Sequence, residues 1–340
     1  MMALVGRVGR VARLALLALG PVLGIGLGLV VLRGTDWSSV AAIVVGFPIR
    51  YLAVGLACWT ASAYLRAVRW RVLFSGERVS TLRLLLVENA ALGLNNISTV
   101  RALDELLIFG LLALRDRLPG PLVAATMVVC RVQDLIFTLL YLTLASFMLM
   151  VPAAVLPGLG LLGLYCVVWI LILLNLPAIV RRFPWLGRFA VLSSLGAALR
   201  MLGGNKTRLL VSFGATCAYW LLLGPAVWAL ASGVAVEVSM GQSVFVVIAA
   251  ILLSTSLPGL PGALGTFEFA VVSLLDLWGV PRSQATVVAV GLHAVLFVPP
   301  TLFALAVLPL EGLRSAGDVR DLLGGARRRQ EEQQAAATNG

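Results

Sequence analysis

The chain has 340 residues, 60% of them hydrophobic and 12% charged, with a net charge of +11 and a mean hydropathy of +1.02. A soluble domain of this length cannot hide so much apolar surface and carries about a quarter of its residues charged, so composition excludes one. The basic residues sit between apolar blocks, where they act as topogenic charge, and nucleic acid is therefore not an expected partner.

The apolar blocks, in chain order, are Leu14 to Leu32, Tyr51 to Leu65, Leu122 to Met150, Leu159 to Val180, Leu209 to Ala231 and Val287 to Leu308. Each reaches or approaches the roughly 20 residues that cross ~30 Å of hydrocarbon. Backbone groups cannot go unpaired in lipid, so the blocks read as helices. The first follows Arg7, Arg10 and Arg13, as a signal peptide would. It exceeds a usual h-region and is followed by no small-x-small cleavage site, so it reads as a retained span. Asp36 to Pro48 predicts a short interfacial helix anchored by Trp37.

Two further regions are broken: Leu82 to Leu114 near Asn95 to Glu105, and Ser243 to Leu277 near Ser254 to Gly265. A single crossing by Leu82 to Leu114 would put Arg115, Arg117 and the six cations between Val180 and Leu209 outside, against the positive-inside rule. A re-entrant hairpin from the cytoplasm keeps every cluster inside, and the same reasoning makes the second region a hairpin from the outer face. The prediction is an all-α polytopic protein of the plasma (inner) membrane, with six full transmembrane helices, two re-entrant hairpins and both termini cytoplasmic. Residues 1–313 form the membrane domain and 314–340 a basic tail expected to lack fixed structure.

The two broken regions resemble each other. Glu105 and the apolar run after it can be laid over Glu268 and its run. Ala125-Thr126 then opens one span and Ala285-Thr286 the other, and Phe137 and Phe297 fall at the same offset, as do Gln133 and His293. Three spans separate the copies, so the repeat is inverted, an arrangement recurrent among transporters.

Charges at the bilayer centre cost about 2.5–3.5 kcal/mol on insertion scales, so each needs a reason. Arg101, Asp104 and Glu105 share one helical face at i, i+3, i+4, and Arg131 and Asp134 stand at i, i+3. Each set reads either as a local ion pair or as a headgroup site. Between Ser254 and Glu268, Ser256 precedes Pro258 and Pro261, which end a helix. Gly262 and Gly265 permit tight turns, and the amides opening the next helix could receive an anionic headgroup. The alternative is a simple kink. His293, the lone histidine, reads most simply as a packed, hydrogen-bonded residue; its alternative is to face the same cavity. Cys58, Cys130, Cys166 and Cys217 lie in apolar blocks without CxxC spacing and read as buried small hydrophobes. The sequence has no Walker loop, dinucleotide glycine motif or metal-ligand cluster, so no cofactor is expected.

The Pro-Gly-x-Leu-Gly-x-Phe-Glu run at 261–268 resembles the signature of the bacterial and archaeal flippase-like family, the transmembrane region of lysylphosphatidylglycerol synthases. Arg131-x-x-Asp134 is similar to that family's Glu-Arg-x-x-Asp segment, with Cys130 in place of Glu. Asn96 to Glu105 is similar to its Asn-x-x-Pro-x-Arg-x-Gly-Glu motif, with Thr99 and Leu103 in place of Pro and Gly. The resemblance implies lipid handling: translocation of an amphiphilic or lipid-linked headgroup between leaflets, with membrane lipids as partners. The family's soluble aminoacyl-transferase domain is not expected here, since the chain ends about 30 residues after its last span. Two other readings stand beside this one, an intramembrane enzyme on a lipid-linked substrate and an accessory subunit for a glycosyltransferase or other lipid-modifying enzyme.

Overall fold

The computed structural model describes residues 20–74, 76–98, 103–149, 151–175, 178–179, 182, 196, 198–200, 202–257, 259–314 and 317–318. Residues 14–19 of the first expected span, Arg101, Pro258 and the tail from 319 onward lie outside them. The described residues form helices, turns and loops, with no strand among them.

Helix α1 (Gly20–Leu32) meets α2 (Trp37–Gly46) at 84°. Asp36 caps α2 by accepting from the Ser38 amide. The Ser38 and Ser39 hydroxyls also donate to its carboxylate and hold its pKa down at about 2. Helix α3 (Ile49–Leu73) continues well past Leu65, where the apolar block ends. Arg66 and Arg69 therefore lie on the helix, not in a loop after it, which corrects the reading of both as topogenic charge. A helix can carry them there because both find carboxylate partners.

Helices α4 (Thr81–Ile97) and α5 (Leu103–Phe109) form the first broken region, and α5 runs on as a π-helical turn over Gly110–Arg115. Helices α6 (Gly120–Met148) and α7 (Leu156–Leu174) follow. Then come α8 (Lys206–Leu221) and α9 (Leu223–Gly233), which make one continuous rod. Helices α10 (Met240–Ser256) and α11 (Thr266–Asp276) form the second broken region, and α12 (Arg282–Leu310) closes the bundle.

Among the described residues, α6, α7, the α8–α9 rod and α12 are long and apolar enough to cross a membrane, and the bent α1–α2 pair makes a fifth if it counts as one span. Helix α3 has the length, but four arginines lower its hydropathy. Only 6% of the most apolar window of α7 is buried, as befits a helix whose neighbour is lipid. Where lipid is as apolar as the side chains, helices associate through close packing at small residues. At the α4–α12 crossing, a Cβ on Gly93 would overlap the Pro300 carbonyl and stand 2.7 Å from the Ala304 methyl.

Each broken region folds back on itself, with α4 packed on α5 and α10 on α11. The second turns through a 3-10 segment at Pro261–Ala263, where Gly262 has φ 65° and Gly265 φ 80°. Left-handed φ favours glycine, and a Cβ on Gly265 would also strike the Gly24 carbonyl of α1.

The two tips meet. The Asn96 amide donates to the Phe297 carbonyl (3.1 Å) and Thr301 Oγ1 (3.2 Å), and the Asn96 carbonyl faces Gly262. At one end of the bundle Arg83 pairs with Asp116 (2.8 Å) and Glu311 (2.5 Å), and Arg115 pairs with Glu311 (2.9 Å). This network ties both ends of the first region to the C-terminus of α12. At the other end, Gln284 donates to the Val234 carbonyl (2.9 Å) and Tyr141 to the Gly241 carbonyl (3.0 Å), beside the start of the second region. The bases of the two regions thus lie at opposite ends.

Two apolar cores result. One gathers Trp59, Phe137, Phe245, Phe267 and Val295 around the second region. The other gathers Trp70, Leu84, Leu107, Val123 and Ala304 around the first.

Gly93→Ala is expected to force α4 and α12 apart and cost about 1–3 kcal/mol, as overpacking does. The check is a lowered unfolding temperature in detergent. Gly214→Ala serves as the control, because among the described residues nothing lies within 4 Å of the added methyl.

Candidate functional site

Along α3, residues 59, 62, 63, 66, 69 and 70 repeat at helical spacing and all face one cavity. On α6 the same cavity takes Met127, Cys130, Arg131 and Asp134, and on α12 Leu296, Phe297 and Pro300. These positions fall between the two apolar cores, and the cavity sets charged groups among apolar side chains. Its volume is about 310 Å³, at the small end of pockets that hold a ligand.

Three cations and four acids line it. Arg69 is 4% exposed and reaches Asp134 with both terminal nitrogens, at 2.5 and 3.1 Å. Asp134 also accepts from the Tyr219 hydroxyl and from Trp220 Nε1 (3.2 Å), and the Arg69 guanidinium stacks 4.9 Å over the Tyr219 ring. A buried charge is tolerated only when paired and hydrogen-bonded, and this cluster satisfies that by joining α3, α6 and α8. Arg66 pairs with Glu88 (3.0 Å) and donates to Asn89 (3.0 Å). Arg131 pairs with Glu105 at 3.0 Å, and both side chains remain about half exposed, at 53% and 56%.

These pairings differ from those that spacing along one helix suggests. Arg131 and Asp134 are not partners of each other: Asp134 belongs to Arg69, and Arg131 reaches the first hairpin. Their i, i+3 spacing puts both on the cavity face of α6 while their ends point to different helices. Asp104 and Glu105 line the same cavity; Arg101, their expected partner, lies outside the described residues.

Glu268 and His293 form a second, smaller site beyond the cavity wall. His293 Nδ1 stands 2.6 Å from Glu268 Oε1, and each side chain is 15% exposed. His293 packs against Phe267 and Phe297 with Glu268 beside it, and it is not among the cavity residues. The other Glu268 oxygen accepts the Gly265 amide at 2.7 Å. The amide that opens α11 is therefore met by a carboxylate of the same helix. Ser256 hydrogen-bonds back to the Leu252 carbonyl (2.7 Å) and is not among the cavity residues, whereas its neighbour Thr255 is. Gly262 forms the tip, and Pro258 lies outside the described residues. Gln133, aligned with His293 in the repeat, instead binds the Ser212 hydroxyl (2.8 Å) and the Leu209 carbonyl (3.1 Å).

Sequence reasoning missed Arg66 and Arg69. The signal was present: Trp59, Ser62, Arg66, Arg69 and Trp70 keep 3- and 4-residue spacing, which marks one face of a helix.

An all-helical bundle of apolar helices enclosing a charged cavity defines a multi-pass membrane protein. Its sequence matches the lysylphosphatidylglycerol synthase TM region family over residues 14–304, and the chain belongs to that family. A comparison with curated proteins finds no match.

Asp134→Asn is expected to strand Arg69 in the interior and cost about 3–5 kcal/mol, as breaking a buried pair does. Arg131→Gln touches an open pair worth about 0–1 kcal/mol and is expected to leave stability nearly unchanged. Yield of monodisperse protein and unfolding temperature in detergent separate the two.

Proposed function

We propose that this protein moves the headgroup of an amphiphilic or lipid-linked molecule between leaflets. The observation that carries the proposal is the charged cavity enclosed between two opposed helical hairpins in an otherwise apolar bundle. In this reading the bundle has six full spans, α3 among them. The two hairpins are re-entrant, the base held by Arg83, Arg115, Asp116 and Glu311 faces the cytoplasm, and both termini are cytoplasmic in the inner membrane.

Arg131 and Glu105 contact the headgroup, with Asp104 beside them. Their pair is open to the cavity and bridges the first hairpin to α6, so a headgroup carrying phosphate or ammonium can exchange for either partner. Arg69 and Asp134 position the cavity wall and do not bind. The acyl chains stay in lipid. Movement of the hairpins relative to one another opens the cavity to one leaflet and then the other, as in inverted-repeat transporters.

The test uses liposomes containing the purified protein and fluorescent phospholipids, with leaflet exposure read by a membrane-impermeant quencher. Losing one charge-assisted hydrogen bond removes about 1.5–3 kcal/mol, so Glu105→Gln or Arg131→Gln is expected to slow exchange roughly ten- to hundredfold. Unchanged exchange in both variants would refute the assignment. Covalently altered lipid, seen by mass spectrometry, would favour an enzyme instead. The topology is checked separately. Single cysteines replacing exposed Arg78 and Arg117 are expected to label from the cytoplasmic side, and one replacing Glu237 from the outer side.

A further inference from the structure

The cavity leaves one buried ionisable pair unused, Glu268 and His293. We propose that this pair is a proton-binding site whose occupancy sets the contact between the two hairpin tips. The proposal rests on the transport reading only for its consequence, since proton binding and tip movement are defined without lipid.

The argument begins with the imidazole's two nitrogens. Nδ1 lies 2.6 Å from a carboxylate oxygen. Two atoms that both bear lone pairs cannot approach so closely unless one holds a proton. The approach lies off the ideal hydrogen-bond line, so charge more than directed bonding holds the pair. With one proton the pair carries a net charge of −1. A second proton at Nε2 makes it a neutral imidazolium–carboxylate pair. A low-dielectric interior favours the neutral state. The anionic state has its own support, because the Gly265 amide donates to Glu268 at the N-terminus of α11, where the helix dipole stabilises negative charge. Both protonation states are thus provided for.

Nε2 is the atom that changes, and its surroundings give the change an effect. It faces Gly262, 4.0 Å from where a Cβ on that glycine would stand. Gly262 is the point at which the second tip meets the Asn96 carbonyl of the first. On protonation Nε2 turns from acceptor to donor beside that contact. A second route runs through Phe297, whose ring stacks on the imidazole at 4.2 Å. Phe297 also lines the cavity, and its carbonyl accepts from the Asn96 amide. Phe267 packs edge-on against the imidazole at 5.6 Å and keeps that side apolar.

Among the described residues Glu268 is the ion-pair partner found for His293. The charged groups on the elements packed against the pair are Arg282 on α12, Asp276 on α11, Arg33 after α1, Arg83 and Glu88 on α4, and Arg50, Arg66, Arg69 and Arg71 on α3. Arg282 and Asp276 lie two or more turns along their helices from His293 and Glu268.

The test needs no lipid substrate. The full chain in nanodiscs, with isotopically labelled histidine, gives a single imidazole signal because the chain has one His. Between pH 5 and 9 that signal is expected to convert from the Nδ1-protonated tautomer to imidazolium as pH falls. Spin labels at Ile97 and Leu264, which are exposed at the two tips, report the contact once the four native cysteines are replaced. Their distance distribution is expected to change between pH 5 and 9 and to lose that response in His293→Gln. An imidazole signal that does not change across this range overturns the proposal, as does a pH response of the tips that survives His293→Gln. If the proton and tip responses appear but liposomes show no lipid exchange, the transport reading fails and the proton site stands.

Discussion

A guanidinium held among apolar helices must be met by a carboxylate from another helix, and that requirement organises this protein. Arg69 is met by Asp134, which Tyr219 and Trp220 also hold. Three helices far apart in sequence are therefore fixed at one point. Either charge alone would be stranded in a low dielectric at a cost of several kcal/mol. The pair is less a source of net stability than a constraint on how α3, α6 and α8 can be assembled.

Around that point the structure contains both a buried ion pair and an open one. The two apolar cores hold the hairpins from either side, and between them lies a layer that cannot be filled with hydrocarbon because its side chains are charged. Within it Arg69 and Asp134 are buried, and Asp134 is met by Arg69, Tyr219 and Trp220, whereas Arg131 and Glu105 have one another and remain half exposed. The two pairs differ in partners and exposure, although both join a guanidinium to a carboxylate.

The tips add a second kind of constraint. Where α4 crosses α12 and where the second hairpin passes α1, backbone lies against backbone at Gly93 and Gly265. Contacts this close leave no room for a side chain at either glycine. Nearby, the Glu268–His293 site and the larger cavity share Phe297, whose ring stacks on the imidazole and lines the cavity.

Much of this was legible in the sequence. Apolar blocks of spanning length required helices, because lipid offers no partner for an unpaired backbone group. The prolines and glycines of 254–268 and the polar run from Asn95 to Glu105 marked both breaks, since such residues interrupt a helix wherever they occur. Glu105, Asp104, Arg131, Asp134, Glu268 and His293 stood out because charge in an apolar block is costly. Pairing was not legible. Spacing along one helix suggested Arg131 with Asp134, but partners are chosen by distance across helices, and only the packed bundle brings Arg69 to Asp134 and His293 to Glu268. Nor did composition distinguish Arg66 and Arg69 from the loop arginines beside them. A cation at the edge of an apolar block looks topogenic until the helix is seen to continue and a carboxylate is found facing it.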